Sequence, residues 1–220
     1  HGVHRRQRQM CIRDSYTWAT PNGRKVSILL EELGVDYTVF PVNIGAGEQH
    51  KPAFLEISAN NKIPAIVDHE NGMRLMESGA ILIYLSDKYK KFFANDVLER
   101  SRITEWVMWQ MGGLGPMLGQ VHHFTHFNPG KSTYAEERFQ AEAARLYKVL
   151  DSRLSRRKFI CDNYSIGDIA CWPWVSRYER QQIDLRNFPN VRGWYQRILE
   201  REAVQRGYHI PENMGPIPAG

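Results

Sequence analysis

The segment Asn60-Asn61-Lys62-Ile63-Pro64-Ala65-Ile66 carries the chain's clearest architectural signal. Turn-prone residues deliver the chain to a proline that enters a short strand, read over 65–68. A proline in that place is a candidate cis bond, although only about 5–6% of X-Pro bonds are cis; read alone, it is equally a plain trans-proline at a strand start. Upstream, 15–18 reads as a short strand and Thr20-Pro21-Asn22-Gly23 as a turn and helix start. Val26, Leu29, Leu30 and Leu33 follow at i, i+3, i+4, i+7, an amphipathic helix that stops at Gly34. Residues 37–42 read as a second strand and 52–57 as one or two helical turns. Downstream, 74–76 is a strand joined to 65–68 by the hairpin signal His69-Glu70-Asn71-Gly72. Residues 78–89 form a mostly apolar helix, therefore largely buried.

The resulting order, β-α-β-α-β-β-α, with a candidate cis-proline before the third strand, predicts an α/β thioredoxin-like domain. The backbone ahead of such a proline is free to bind a peptide as an added strand. Strand signals cease after residue 90. Helices are predicted at 98–111, 133–154, 165–180 and 191–201, so an all-α helical domain follows. The expected division is a head at 1–14, a thioredoxin-like ligand-binding domain at 15–89, a linker at 90–97, a helical domain at 98–205 and a tail at 206–220.

Composition bounds the function. The 220 residues are 42% apolar and 24% charged, ordinary for a globular protein, which excludes a disordered tail, a collagen-like fibre and a disulfide scaffold. Cys11, Cys161 and Cys171 form no C-x-x-C pair, which fits a reducing, cytoplasmic setting. No apolar run approaches the roughly 20 residues of a membrane helix, so no membrane partner is expected. The net charge of +5 invites a nucleic-acid reading. However, Arg5, Arg6, Arg8 and Arg13 stand in the head against Asp14 alone, and little excess charge is left for the fold. A nucleic-acid arm would rest on the head alone, and no nucleic-acid partner is expected of the fold.

Three places carry chemistry. Glu77-Ser78-Gly79 stands where a strand runs straight into a helix. Free backbone N–H groups and the positive helix end make an anion site, with Ser78 holding a carboxylate and Glu77 an ammonium, which suits an α-amino acid end; ordinary capping is the alternative. Thr20 and Asn22 flank the start of the first helix. A hydroxyl and an amide there can donate to a thiolate, and the helix end lowers a thiol pKa; again a plain cap is the alternative. No cysteine lies in that turn, so any thiolate comes from a ligand. The third place is Ile63-Pro64.

These sites, in this order and followed by a helical domain, resemble the cytosolic glutathione transferase family, in particular its Nu-class branch of glutathione-dependent disulfide-bond oxidoreductases. The segments carrying the resemblance are Ala19-Thr20-Pro21-Asn22-Gly23, Asn60 to Ile66, Glu77-Ser78-Gly79-Ala80-Ile81, Gly112-Gly113-Leu114-Gly115-Pro116-Met117 and Ile169-Ala170-Cys171-Trp172-Pro173-Trp174. The resemblance implies that Thr20 and Asn22 contact the glutathione sulfur. It implies that Gln49 contacts the glycyl end, that Lys62, Ile63 and Pro64 bind the cysteinyl region, with the Ile63 backbone pairing, and that Glu77 and Ser78 hold the γ-glutamyl group. Arg138 resembles an arginine that reaches the partner's glutathione in a homodimer. The implied activity is disulfide reduction with glutathione, in its reduced or disulfide form, acting on small-molecule thiols and disulfides, with weak transferase or peroxidase activity. The alternative is a glutathione-binding regulatory protein without turnover. The sequence departs from the family at Ile12-Arg13-Asp14-Ser15-Tyr16, which is more polar than a central strand of this fold should be, as though the head had replaced part of the native strand.

Other residues have competing readings. Ser165-Ile166-Gly167-Asp168 is a capping box with Asp in the usual Glu place, so Asp168 is structural. His122, His123 and His126 share a helical face but lack a further ligand nearby, and no metal is expected. Tyr16 is an alternative activator of the thiolate. Cys171, in an apolar helix, reads as inert core, and Cys161 as more exposed. Trp109, Met117, His122 and Trp174 are expected to line a substrate pocket.

Overall fold

The computed structural model describes residues 13–220; the basic head before Arg13, with the alternative reading of it as a nucleic-acid arm, and Cys11 lie outside the described residues. Strands β1 (Arg13–Thr17), β2 (Thr38–Pro41), β3 (Ala65–Asp68) and β4 (Met73–Met76) form one mixed sheet in the order β2-β1-β3-β4. β1 runs parallel to β2 and antiparallel to β3, and β3 to β4 is the predicted hairpin. Helices α1 (Pro21–Leu33), the short α2 (Pro52–Leu55) and α3 (Ser78–Tyr89) complete the unit. Its order is the expected β-α-β-α-β-β-α, and the Ile63-Pro64 bond is cis.

The head ends earlier than the sequence suggests. Arg13 and Asp14 are paired with Asp68 and Val67 across the sheet, so the central strand includes two residues assigned to 1–14. The strand tolerates them because tertiary contacts absorb the polarity. The Arg13 guanidinium lies 4.5 Å from the centre of the Tyr89 ring and Asp14 accepts from His69 at 2.9 Å. The accommodation is incomplete: Arg13 Nε and Ser15 Oγ are buried without partners among the described residues.

The helical domain comprises α4 (Val97–Trp109), α5 (Gly115–Val121), α6 (Thr133–Leu154), α7 (Ile166–Val175), α8 (Pro189–Leu199) and α9 (Glu202–Tyr208). Two π-helical segments, Gln110–Leu114 and His122–Phe127, join α4, α5 and the stretch after it into one continuous helical run. α9 extends past residue 205, where the tail was expected, because Gly207 sits against α1: a Cβ there would lie 2.6 Å from Ile28 Cα. The main apolar core runs from Leu29 and Leu30 through Ile81 and Leu85 to Leu146, Trp172 and Trp194, and Val42, Phe54 and Ala65 form a smaller separate cluster. Among the described residues no helix is long and apolar enough to cross a membrane.

The capping box at α7 is present. Ser165 Oγ accepts from Gly167 N–H at 3.2 Å, and Asp168 accepts from Ser165 N–H at 3.0 Å. Asp168 also accepts from Ile160 N–H at 2.9 Å and Trp194 Nε1 at 2.8 Å. Burial pushes its carboxyl up to about 6, and these donors pull the other way.

Two stability outcomes follow from unmet or removed partners. Asp168→Ala should cost about 2–4 kcal/mol in urea denaturation, since it removes a cap and strands a buried indole N–H and a backbone N–H. Ser15→Ala should instead stabilise the protein by up to about 1 kcal/mol, because it deletes an unpaired buried hydroxyl; a loss of stability would mean that the hydroxyl has a partner.

Candidate functional site

Gly23 allows α1 to start hard against the end of β1, since a Cβ there would lie 2.2 Å from the Trp18 carbonyl oxygen and 2.5 Å from Thr17 Oγ1. That joint sets Thr20 at the N-cap, where its hydroxyl oxygen accepts from Gly23 N–H at 3.1 Å; the hydroxyl proton is left to donate. Asn22 Oδ1 accepts from Trp174 Nε1–H at 3.0 Å. With its oxygen engaged by the helical domain, the Asn22 amide is oriented as a donor through Nδ2.

At the other side of the cleft, Glu77 turns β4 into α3 with φ 69° and ψ 111°. A non-glycine residue in this backbone region is strained and concentrates at functional sites. No side chain caps α3, so its first-turn N–H groups stay open to an anion. Between the two helix starts, Ile63 makes no backbone hydrogen bond among the described residues, the sheet pairing of β3 beginning at Ala65.

These features meet in a cavity of about 370 Å³ between the domains, within the range of small-molecule sites. Of the residues singled out from the sequence, Asn22, Lys62, Ile63, Pro64, Glu77 and Ser78 line it. Thr20, the N-cap of α1, is not among the lining residues. Gln49 lies on the 3-10 turn Glu48–His50, 3.3 Å from His50, whose Nδ1 contacts Asn61 Nδ2 at 2.8 Å. Arg138 is elsewhere, exposed on α6 in a shallow cleft with Met117, Tyr134 and Phe139.

The helical wall differs from expectation. Trp174 lines the cavity, but Trp109, Met117 and His122 do not; Gln110, Met111, Pro116 and Gln120 do. The π-helical segment at Gln110–Leu114 adds a residue to the turn and carries Gln110 and Met111, rather than Trp109, to the cleft. Trp109 packs on Trp106. His122 stacks on the far side of Trp174 at 5.8 Å. Burial and the Arg180 and Arg177 charges push its imidazole down to about 4, so it is neutral at neutral pH. Tyr16 is also removed from the site: its ring stacks on Phe40 at 4.9 Å and lies 6.2 Å from Phe54, in a separate cleft. Burial, then Asp14, raises its phenol above the usual range. Among the described residues no cluster of three or more His, Cys, Asp or Glu side chains is placed to hold a metal.

One charged lining residue escaped the sequence reading. Lys25 on α1 is fully buried, with Nζ 3.1 Å from Ser78 Oγ, 2.5 Å from Gln110 Oε1 and 3.5 Å from Met111 Sδ. The signal was available: Lys25 precedes Leu29 by four, on the buried stripe of the helix.

The cavity thus offers donors at the start of α1, an unpaired backbone segment at Ile63, and an acid beside an open helix N-terminus at Glu77-Ser78. The models of the glutathione S-transferase N-terminal and C-terminal domains match residues 15–87 and 114–202. The chain belongs to the glutathione S-transferase family. Disulfide-bond oxidoreductase YfcG of Escherichia coli is 50% identical over 197 residues, covering 87% of this chain and 92% of YfcG. YghU, a second E. coli disulfide-bond oxidoreductase, is 38% identical over 92% of this chain and 76% of its own. The crystal structure of a glutathione transferase from Pseudomonas putida, with one glutathione disulfide bound per subunit, superposes with a TM-score of 0.86 at 42% identity, over 90% of this chain and 91% of that one.

In this member of the family the chain's own described thiols are withdrawn from the site. Cys161, expected to be the more exposed, is 2% exposed, and burial pushes its thiol up to about 11; Cys171 is fully buried and pushed higher still. Iodoacetamide at pH 8 should therefore label neither in the native protein, as peptide mass mapping would show, and both after denaturation. Labelling of native Cys161 would contradict its burial.

Proposed function

We propose that this protein is a glutathione-dependent disulfide-bond reductase of the Nu-class type. The observation that carries the reading is a cavity that presents the Asn22 amide at the Thr20-capped start of α1 and has no cysteine among its described lining residues, in a chain 50% identical to a disulfide-bond oxidoreductase. The γ-glutamyl group of glutathione lies at Glu77 and Ser78, its ammonium on Glu77 and its carboxylate on Ser78 and the open end of α3. The cysteinyl part adds to the backbone of Ile63 beside Pro64 and Lys62, and Gln49 meets the glycyl end. Thr20 O–H and Asn22 Nδ2 donate to the sulfur, which favours the thiolate.

The bound glutathione thiolate attacks one sulfur of a disulfide R–S–S–R′, forming a mixed disulfide G–S–S–R and releasing R′–S⁻. A second glutathione thiolate attacks the glutathione sulfur of that intermediate and releases R–S⁻. The two released thiolates take up the two protons lost by the glutathiones; one glutathione disulfide is formed and one substrate disulfide reduced. The protein positions and stabilises thiolate, while the redox chemistry belongs to the ligand. Weak transferase or peroxidase turnover would draw on the same thiolate. The protein works as a homodimer in a reducing cytoplasm, with Arg138 reaching the partner's site.

In a coupled assay following glutathione disulfide, the Thr20→Ala/Asn22→Ala double variant should lose about a hundredfold or more in kcat/KM, the scale of removing aligned donors from a developing anion, while still binding glutathione. Unchanged turnover would remove the role given to these two residues. Glutathione binding by the wild type without turnover on any disulfide would favour the regulatory reading instead.

A further inference from the structure

Lys25 is an unexplained charge. It is fully buried, yet its ammonium contacts only neutral groups: Ser78 Oγ, Gln110 Oε1 and Met111 Sδ. No carboxylate lies within ion-pair distance of it among the described residues. Burying an ammonium without a counter-charge is costly, and the residue sits at the floor of the ligand cavity. Gln110, 1% exposed, is also incomplete: its Oε1 takes a Lys25 proton while its Nε2 is buried in the same wall without a partner. The floor thus has a cation and an amide donor with no carboxylate paired to either among the described residues, although Glu77 lines the same cavity.

We propose that Lys25, held by Gln110, is the buried counter-charge for the α-carboxylate of a γ-glutamyl ligand, acting through the Ser78 hydroxyl as a positioning residue. The assignment rests on the glutathione reading of the site. Lys25 Nζ–H donates to Ser78 Oγ, and the Ser78 proton, which faces the weak acceptor Met111 Sδ at 3.4 Å, turns to the ligand carboxylate when it arrives. The ligand charge is thereby matched one hydrogen bond away, and the Glu77 carboxylate remains for the ligand ammonium.

The arrangement couples binding to a proton. Burial lowers the Lys25 ammonium to about 7, with the Cys171 thiol from α7 and the Glu77 carboxylate at the head of α3 acting in the opposite direction; Ser78, Gln110 and Met111 are uncharged. A carboxylate arriving at Ser78 favours the charged lysine and raises its pKa. Above pH 7 the free protein must then take up a proton to bind, so affinity falls as pH rises; near pH 6 the lysine is already charged and no uptake is needed.

Titration calorimetry with S-methylglutathione, which lacks the ionisable thiol, tests this in buffers of different ionisation enthalpy. A second ligand, 4-aminobutanoyl-S-methylcysteinylglycine, differs only by lacking the α-carboxylate. The wild type should prefer S-methylglutathione by about tenfold or more, as hydrogen bonds to charged groups are worth, and take up close to one proton per site at pH 8 and none near pH 6. Lys25→Gln and Lys25→Met, which keep Ser78 and the open end of α3, should retain only part of that preference, reduced severalfold from the wild type, and lose the uptake. Buffer-independent heats in the wild type, a measurement that needs no variant, would overturn the proposal. So would undiminished preference for the carboxylate in a folded Lys25 variant. Failure of the wild type to bind S-methylglutathione at all would overturn the underlying glutathione reading, and this assignment with it.

Discussion

Helix α1 is buried on nearly every side, and both domains are arranged by that constraint. Arg24, Lys25 and Ser27 are all fully buried, and buried polar groups must find partners. The helical domain supplies most of them. Arg24 Nε donates to the Tyr208 carbonyl at 2.9 Å and its guanidinium lies 3.7 Å from the centre of that ring. Ser27 donates to the Gly207 carbonyl at 2.7 Å, and Lys25 donates to Gln110. Asn22 accepts from Trp174. The contacts that join the domains are therefore the same contacts that orient the cavity side chains. α9, which the sequence leaves as the start of a tail, forms one wall of α1. Loosening the domain contact would free the Asn22 amide and the Lys25 ammonium together.

What the sequence discloses is what is local. Thr20 and Asp168 act within three residues of themselves as caps, Gly34 ends α1 in a left-handed conformation with φ 66°, and the His69-Glu70-Asn71-Gly72 hairpin closes by short-range geometry. The expected site residues that line the cavity rest on the same kind of signal, helix starts and a proline before a strand. Arg13 and Asp14 defeat a local reading because their polarity argues against a central strand, and only the Tyr89 ring and His69, distant in sequence, make them acceptable. The helical wall is illegible for another reason. A π-helical turn inserts one residue without altering composition, so Trp109 and Gln110 exchange roles although both fit the helical pattern. Lys25 was legible by spacing, but a lysine near a helix start reads as solvated unless the opposite wall is known.

The choice of groups at the two ends of the cavity has a kinetic logic within the proposed reading. A thiol becomes a better supply of thiolate as its pKa falls, yet each thiolate becomes a weaker nucleophile, so exchange is fastest when the pKa lies near the ambient pH. A full cation beside the sulfur would carry the pKa too far. Thr20 and Asn22 are neutral donors at a helix end, a milder perturbation. Of the two lysines that line the cavity, Lys62 is exposed and Lys25, the buried one, touches Ser78 instead, at the end where the γ-glutamyl carboxylate lies. Charge is thus spent on holding the ligand, and hydrogen bonding on tuning its sulfur. Because no cysteine among the described residues lines the cavity and the described thiols are buried, oxidation leaves with the ligand as glutathione disulfide. The site is then returned to its starting state by ligand exchange alone.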